Sequence, residues 1–349
     1  MFDFGFYFSL SFNIVWYNFF MKIFVSNNTS PYINLSIEEL LVKDESITDN
    51  ILYIYQHKNA IIIGKNQNAH EEINKDFVEQ NKIEVSRRLS GGGAVYHDLG
   101  NINFSFISKN VNGGDYLAFL TPIIDFLNSL GLNAQFHGRN DLLCNGAKIS
   151  GNAQYIYKNK IVSHGTLLFD VDLTKLSKAL NPSKLKIESK GIQSIRSRVT
   201  NIAKELNYSM DVKTFIESLV DFFVKKYQAH NEEIPFSKYQ KELDELQKLR
   251  SSESWIFDKQ AKFSAQNIAK FPGGILNVKF NVENSVIKNI KFEGDFLSKL
   301  DVSQIENKLS GVKFSKAEVK KTILEFELEK YFGTLTIEEI LSLIFGQNE

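Results

Sequence analysis

The sequence predicts a two-domain α+β protein. The larger domain has mixed and antiparallel sheets flanked by helices; a small α+β domain follows it. Three observations carry this. The 349 residues exceed one average domain and suit two. Short strand-like runs alternate with helical stretches without the regular βαβ rhythm of a parallel sheet. A charged helical stretch and the polar Ser251-Ser252-Glu253-Ser254 joint then separate two differently patterned parts. The expected division is 21–250 for the first domain and 255–349 for the second, opened by Trp255.

Residues 1–20 stand apart. Phe2, Phe4, Phe6, Phe8, Leu10, Phe12 and Ile14 alternate with period two, and the stretch has neither a Lys nor an Arg. It lacks the basic flank and small-residue cleavage site of a signal peptide and the flanking charge of a membrane anchor. It is expected to be an upstream translated extension, with Met21 as the start.

From Met21 the elements follow in order. Met21–Val25 reads as a strand. Asn34 or Ser36 can cap a helix through Ile37–Leu41. Residues 51–55 and 60–64 read as a hairpin turning at His57-Lys58-Asn59. A polar helix is expected from Glu71 to Gln80, then strands around 82–85 and 102–106. Asp115–Leu130 is an amphipathic helix ending at Gly131, a residue suited to the left-handed exit. Asn145-Gly146 is the strongest hairpin signal in the chain; it separates 141–144 from 148–150. Residues 155–157 and 161–169 form a second pair joined at Lys158-Asn159-Lys160. Helices are expected near 172–180, 197–207, 211–229 and 238–250. In the second domain, strands at 274–282 and 286–293 precede helices at 302–309, 315–331 and 336–345.

Composition narrows the function. Lys+Arg and Asp+Glu are both 41, so no global basic field is available to hold nucleic acid. The single cysteine, Cys144, excludes an internal disulfide and points to a reducing, cytoplasmic setting. A zinc-spaced Cys/His set, a Walker A loop, a dinucleotide GxGxxG fingerprint and a GxSxG elbow are all lacking.

Three clusters carry chemistry. In Arg87-Arg88-Leu89-Ser90-Gly91-Gly92-Gly93-Ala94-Val95-Tyr96-His97-Asp98, a glycine turn can aim successive amides at an anion. Arginine beside it suits phosphate or carboxylate. In Gly138-Arg139-Asn140-Asp141 and Gly146-Ala147-Lys148-Ile149-Ser150-Gly151-Asn152-Ala153, small residues clear space around Lys148, whose ammonium can neutralise a carboxylate or phosphoryl group. Asp141 could hold Mg²⁺ or orient a cation. The third cluster is His164-Gly165-Thr166-Leu167-Leu168-Phe169; His97 and His164 are candidates for acid–base work.

These motifs, with KGIQSIRSRVTN at 190–201, resemble those of lipoate–protein ligases, in the family's order and from about Met21 to the C-terminus. The resemblance implies a biotin/lipoate ligase-like catalytic fold and a C-terminal accessory domain that assists adenylate formation and moves between steps. It implies that lipoate attacks ATP, assisted by Mg²⁺, to give lipoyl-AMP and pyrophosphate. The lipoyl group then passes to a lysine on the lipoyl domains of 2-oxoacid dehydrogenase complexes or the glycine cleavage H protein. Carried over by motif, Arg88, Gly93, Ala94, Val95 and Tyr96 would contact ATP and the adenylate. Lys148 would be the catalytic residue, holding both the lipoate carboxyl end and the α-phosphate; Arg88, Ser90, Gly92 and His164 would join it around lipoate. Val85, Val95 and Phe104 are candidates for the apolar slot. Related acyltransferases use a cysteine instead of ATP, so a Cys144-dependent octanoyl or lipoyl transferase is the main rival; a non-catalytic lipoyl- or nucleotide-binding protein is another. Biotin ligase is disfavoured by the lack of a GRGRxxxxW-type loop. Asp258 and Ala261 replace the family's Gly and Pro at the joint after Trp255.

Overall fold

The computed structural model describes residues 21–109, 114–181, 199–257 and 262–346. The expected extension at 1–20, most of the 190–201 motif, and Asp258 and Ala261 lie outside them. Among the described residues, fourteen strands follow in chain order: β1 (Met21–Val25), β2 (Asn50–Gln56), β3 (Asn59–Ile63), β4 (Glu84–Arg87), β5 (Val95–Asp98), β6 (Asn101–Lys109), β7 (Ala134–His137), β8 (Asp141–Cys144), β9 (Ala147–Tyr157), β10 (Lys160–Leu168), β11 (His230–Glu232), β12 (Ala265–Phe271), β13 (Gly274–Glu283) and β14 (Val286–Gly294).

Eight strands make the main sheet, in the order β11-β1-β2-β6-β10-β9-β8-β7. β1 is parallel to both neighbours, and the remaining pairs are antiparallel. One face packs against helices Tyr116–Ser129 and Val212–Tyr227. Phe104, Phe106, Phe126, Phe215 and Phe223 are all at most 1% exposed there, each contributing about 1.5–3 kcal/mol by burial. The other face carries helices Pro31–Lys43 and Phe236–Arg250 over Tyr53, Tyr55, Tyr155 and Val162. Those helices cover only part of that face, and the site lies on the remainder.

A smaller sheet, β4-β3-β5, stands over this face, with β3 parallel to β4 and antiparallel to β5. The C-terminal domain wraps helices around the antiparallel sheet β12-β13-β14.

Several elements correct the sequence expectations. β2 and β3 do not form a hairpin. β2 is already paired on both edges, by β1 and β6, and the buried His57 with its neighbour turns the chain into the smaller sheet. The first helix starts at Pro31 with Ser30 at its cap. Asn34 instead bonds across to the Asn28 and Gln56 carbonyls, and Ser36 donates back to Tyr32. The 71–80 helix is two, Ala69–Glu72 and Lys75–Gln80, because Asn74 caps a fresh start after buried Ile73. The 315–331 helix likewise breaks into Lys316–Ile323 and Leu328–Phe332. β11 and β12 were not expected. The Asn145-Gly146 turn between β8 and β9 stands as expected, both residues left-handed with φ of 51° and 82°.

Candidate active site

Register builds the site. β9 and β10 pair so that Ala153 faces His164 and Asn152 faces Gly165, while β6 sets Asn103 beside Thr166 and Tyr55. Alternate residues share a face; Tyr55, Asn103, His164, Thr166, Gly151 and Ala153 thus make a floor. The segment from Arg88 to Val95, with Ile62, roofs it. Between them is a cavity of about 210 Å³. Arg88, Gly92, Gly93, Ala94, Val95, Lys148 and His164 all line it, with His57, His97, Asn140 and Asn152. Residues from distant parts of the chain are therefore brought together around one cavity.

Lys148 projects from the start of β9 and pairs with Asp141 Oδ1 at 2.7 Å. Both side chains are about one-third exposed (35% and 32%), so the pair sits at the cavity mouth and adds little stability. A Cβ on Gly151 would lie 3.1 Å from Lys148 Nζ; glycine there gives the ammonium its room. The chain returns beside Lys148, where Val199 bridges it and the Thr200 amide donates to its carbonyl at 3.0 Å.

Arg88 is a brace. Its guanidinium donates to the carbonyls of Ile62 (3.1 Å), Gly91 (2.7 Å) and Gly93 (2.8 Å) and to Ser90 Oγ (3.1 Å). Burial lowers its pKa to about 10, so it stays a cation at neutral pH while fixing the turn. Gly92 takes φ of 94°. Arg87 braces the neighbouring backbone, donating to the Gly64 and Gln67 carbonyls at 2.9 and 2.7 Å.

The turn also meets the C-terminal domain. Gly91 N–H donates to the Ser298 carbonyl at 3.2 Å and Gly92 N–H to the Phe296 carbonyl at 3.0 Å. A Cβ on Gly91 would lie 2.5 Å from the Phe296 oxygen. Two amides that the sequence offers to an anion thus face protein carbonyls here. Asn66 Nδ2 donates to Ser298 Oγ at 2.7 Å, and Lys65 pairs with Asp301 at 3.2 Å.

Ser90 is fully buried and does not line the cavity; its Oγ lies 2.6 Å from His164 Nε2. His164 Nδ1 donates to Glu38 at 2.9 Å, because an ionised carboxylate can only accept. Burial pushes the Glu38 carboxyl up, but attraction to His164, its hydrogen bond, Ser105 and Arg250 outweigh burial and hold it below the usual carboxylate range. Glu38 was not singled out from the sequence. Its signal was a carboxylate inside the apolar Leu35–Leu41 run. His97 meets His57 instead, Nδ1 to Nδ1 at 3.1 Å.

Other expected positions lie elsewhere. Tyr96 points into a separate cluster with Ile61 and Val85, its hydroxyl donating to Asn59 at 3.0 Å. Phe104 lies in the core on the opposite face of the sheet from the cavity; of the three slot candidates only Val95 lines the cavity. Asp141 is the carboxylate next to Lys148; no group of three potential metal ligands occurs among the described residues. Cys144 is fully buried in the core of that opposite face, and burial pushes its thiol up. That is the reverse of an activated nucleophile. Trp255, expected to open the second domain, packs with Ile256 and Phe257 against the smaller sheet. No helix among the described residues is long and apolar enough to cross a membrane.

Residues 30–224 match the family model of the lipoyl protein ligase A/B catalytic domain, and 260–344 match that of the bacterial lipoate protein ligase C-terminus. The lipoate-protein ligase LplJ of Bacillus subtilis is 40% identical over 332 residues, covering 93% of this chain and all of its own length. Lipoate–protein ligase 1 of Staphylococcus aureus is 36% identical over 329 residues, 92% of this chain and 99% of its own. Among solved structures, P. falciparum LipL1 in complex with lipoate superposes with a TM-score of 0.75 at 28% identity, over 88% of this chain and 95% of that one. Lipoate-protein ligase A bound with ATP gives 0.58 at 25% identity, over 68% and 99%. With a biotin/lipoate ligase-like sheet and both family domains present in order, the chain belongs to the lipoate–protein ligase family of enzymes.

Proposed function

We propose that this ligase activates lipoate with ATP at the cavity between the glycine turn and Lys148, then transfers the lipoyl group to a lysine of lipoyl domains. The acceptors are those of 2-oxoacid dehydrogenase complexes and the glycine cleavage H protein. The observation that supports this best is the convergence of Lys148 and the braced turn on one cavity. A lipoate carboxylate oxygen attacks the α-phosphorus, the bond to the β-phosphate breaks, and pyrophosphate leaves. Lys148 Nζ, at the mouth, turns from Asp141 to bridge carboxylate and α-phosphate, offsetting their repulsion where charge develops. Arg88 acts by holding Gly91–Gly93 in shape, so Gly93, Ala94 and Val95 meet the adenylate with preset backbone; Tyr96 supports them from behind. Ser90, Gly92 and His164 shape the lipoate side. In the second step the acceptor amine attacks the mixed-anhydride carbonyl and AMP leaves; no enzyme nucleophile takes part.

Mg²⁺ binds through one or two carboxylates plus phosphate oxygens; Asp141 would be the carboxylate to hold it, once released from Lys148, and the ion would neutralise phosphate charge. The catalytic domain is assigned to 21–250 and the accessory domain to 255–349, with 255–257 strapped back onto the first.

The test is Lys148→Ala in lipoate-dependent ATP–pyrophosphate exchange, followed by mass analysis of a lipoyl domain. Exchange is expected to fall at least about a hundredfold, the scale of losing one preorganised charge partner, with the circular dichroism spectrum unchanged. Retained exchange would remove Lys148 from the site.

A further inference from the structure

We propose that the buried His57–His97 pair is a specificity element of the acyl pocket, recognising the sulfur-bearing end of lipoate and selecting against a plain hydrocarbon acid such as octanoate. This rests on the reading of the cavity as the acid-activation site.

Position comes first. His57 follows β2 and His97 lies on β5; both line the cavity that Lys148 lines. In the main sheet β6 and β10 stand between β2 and β9. His57 and Lys148 thus belong to strands three spacings apart, on the order of 14 Å. An acid with its carboxyl at Lys148 lies across those strands with its tail toward the histidines. Leu35 and Ile62 provide apolar wall, and Tyr55 tilts against His57 at 5.3 Å between ring centroids.

Chemistry comes second. Burial holds His57 down to about 3 and His97 well below its usual value, so both rings are neutral at physiological pH. Two neutral imidazoles joined Nδ1 to Nδ1 at 3.1 Å share one proton between those atoms. The donor ring therefore has a bare Nε2, and the acceptor ring carries its proton on Nε2. Both Nε2 atoms are buried and have no hydrogen-bond partner among the described residues. The pair thus holds one donor and one acceptor in reserve within the wall that both rings give the cavity. A hydrocarbon tail leaves both unpaired; a dithiolane sulfur accepts from the N–H, and a dithiol can serve both nitrogens.

The experiment is ATP–pyrophosphate exchange by the full chain with lipoate and with octanoate as the acid. In the unmodified protein lipoate is preferred in kcat/KM. His57→Phe removes the reserve polarity at its end, narrowing the lipoate-to-octanoate ratio by roughly tenfold, mainly through KM, the scale of an unpaired buried polar group. His57→Gln keeps a polar tip and stays near the unmodified ratio. An unchanged ratio in active His57→Phe overturns the proposal. A second measurement needs no variant. Octanoate carrying a thioether near its methyl end should bind more tightly than octanoate; equal affinities overturn the proposal. No exchange with any acid by the unmodified protein would instead remove the ligase reading, and this inference with it.

Discussion

At the scale of the residue, the side chains divide into those that face the ligand space and those that hold others still. Lys148 belongs to the first group, Arg87 and Glu38 to the second, and Arg88 to both, since it lines the cavity while bracing the turn. Cys144 belongs to neither, which makes it a clean discriminator between ATP-dependent and cysteine-dependent chemistry. Cys144→Ser should leave pyrophosphate exchange within about twofold while lowering stability by about 1–3 kcal/mol, since it buries a hydroxyl in an apolar core. Loss of acyl transfer with retained fold would restore the cysteine mechanism. The histidine pair has a thermodynamic signature as well. The unfolded chain takes up protons near pH 6.5, whereas folded His57 resists until about pH 3 and His97 resists too. Below about pH 6.5 the unfolded state binds more protons, so stability falls with acidification, by up to about 1.4 kcal/mol per pH unit for each ring. Glu38, held low, adds loss further down as it is protonated. Urea titrations at about pH 7 and pH 5 check this; equal stabilities would mean the rings are hydrated and not buried.

At the scale of the element, most strands and helices were legible because period and turn chemistry act locally. Asn145-Gly146 announces its hairpin whatever surrounds it. The misread elements are those settled at long range. Nothing within 51–64 says that β2 will be flanked by β1 and β6, so local pattern alone makes the adjacent β3 its partner. The 315–331 stretch keeps a helical period through the break before Leu328. The site shows the same division. Lys148 and the glycine turn could be picked out by composition and motif. The Glu38 contact to His164 and the His57–His97 contact come from sheet register and could not. Capping belongs to the local class, and the last helix shows it. Thr336 Oγ1 accepts from the Glu339 amide at 3.2 Å, and Glu339 Oε2 accepts from the Thr336 amide at 2.7 Å. Thr336→Ala should cost about 1 kcal/mol, seen as a lower urea midpoint at unchanged slope in circular dichroism. An unchanged midpoint would show that packing of Ile340, Leu341 and Ile344 alone sets that helix.

At the scale of the whole molecule, the two domains meet at the turn that forms the roof of the cavity. The fit is close: a side chain at Gly91 collides with the Phe296 oxygen and Ser298 nitrogen, both backbone atoms that cannot step aside. Gly91→Val is therefore expected to displace segment 296–298. The readouts are faster proteolysis at the domain junction, a larger radius of gyration in small-angle scattering, and pyrophosphate exchange that falls more than transfer from added lipoyl-AMP. Unaltered scattering and proteolysis would show that the contact between the domains does not depend on this approach.

The character of that contact has one more consequence. Gly91 to Ser298, Gly92 to Phe296 and Gly294 to Asn66 are joined main chain to main chain. Every residue type except proline offers the same amide and the same carbonyl. Yet all three donors are glycines, where an added Cβ would lie 2.5 and 2.9 Å from the nearest atom at Gly91 and Gly92, and closer still at Gly294. The seam therefore reads the lack of a side chain on its donors, while Phe296, which lends only a carbonyl to it, could be spelled otherwise as far as this seam is concerned.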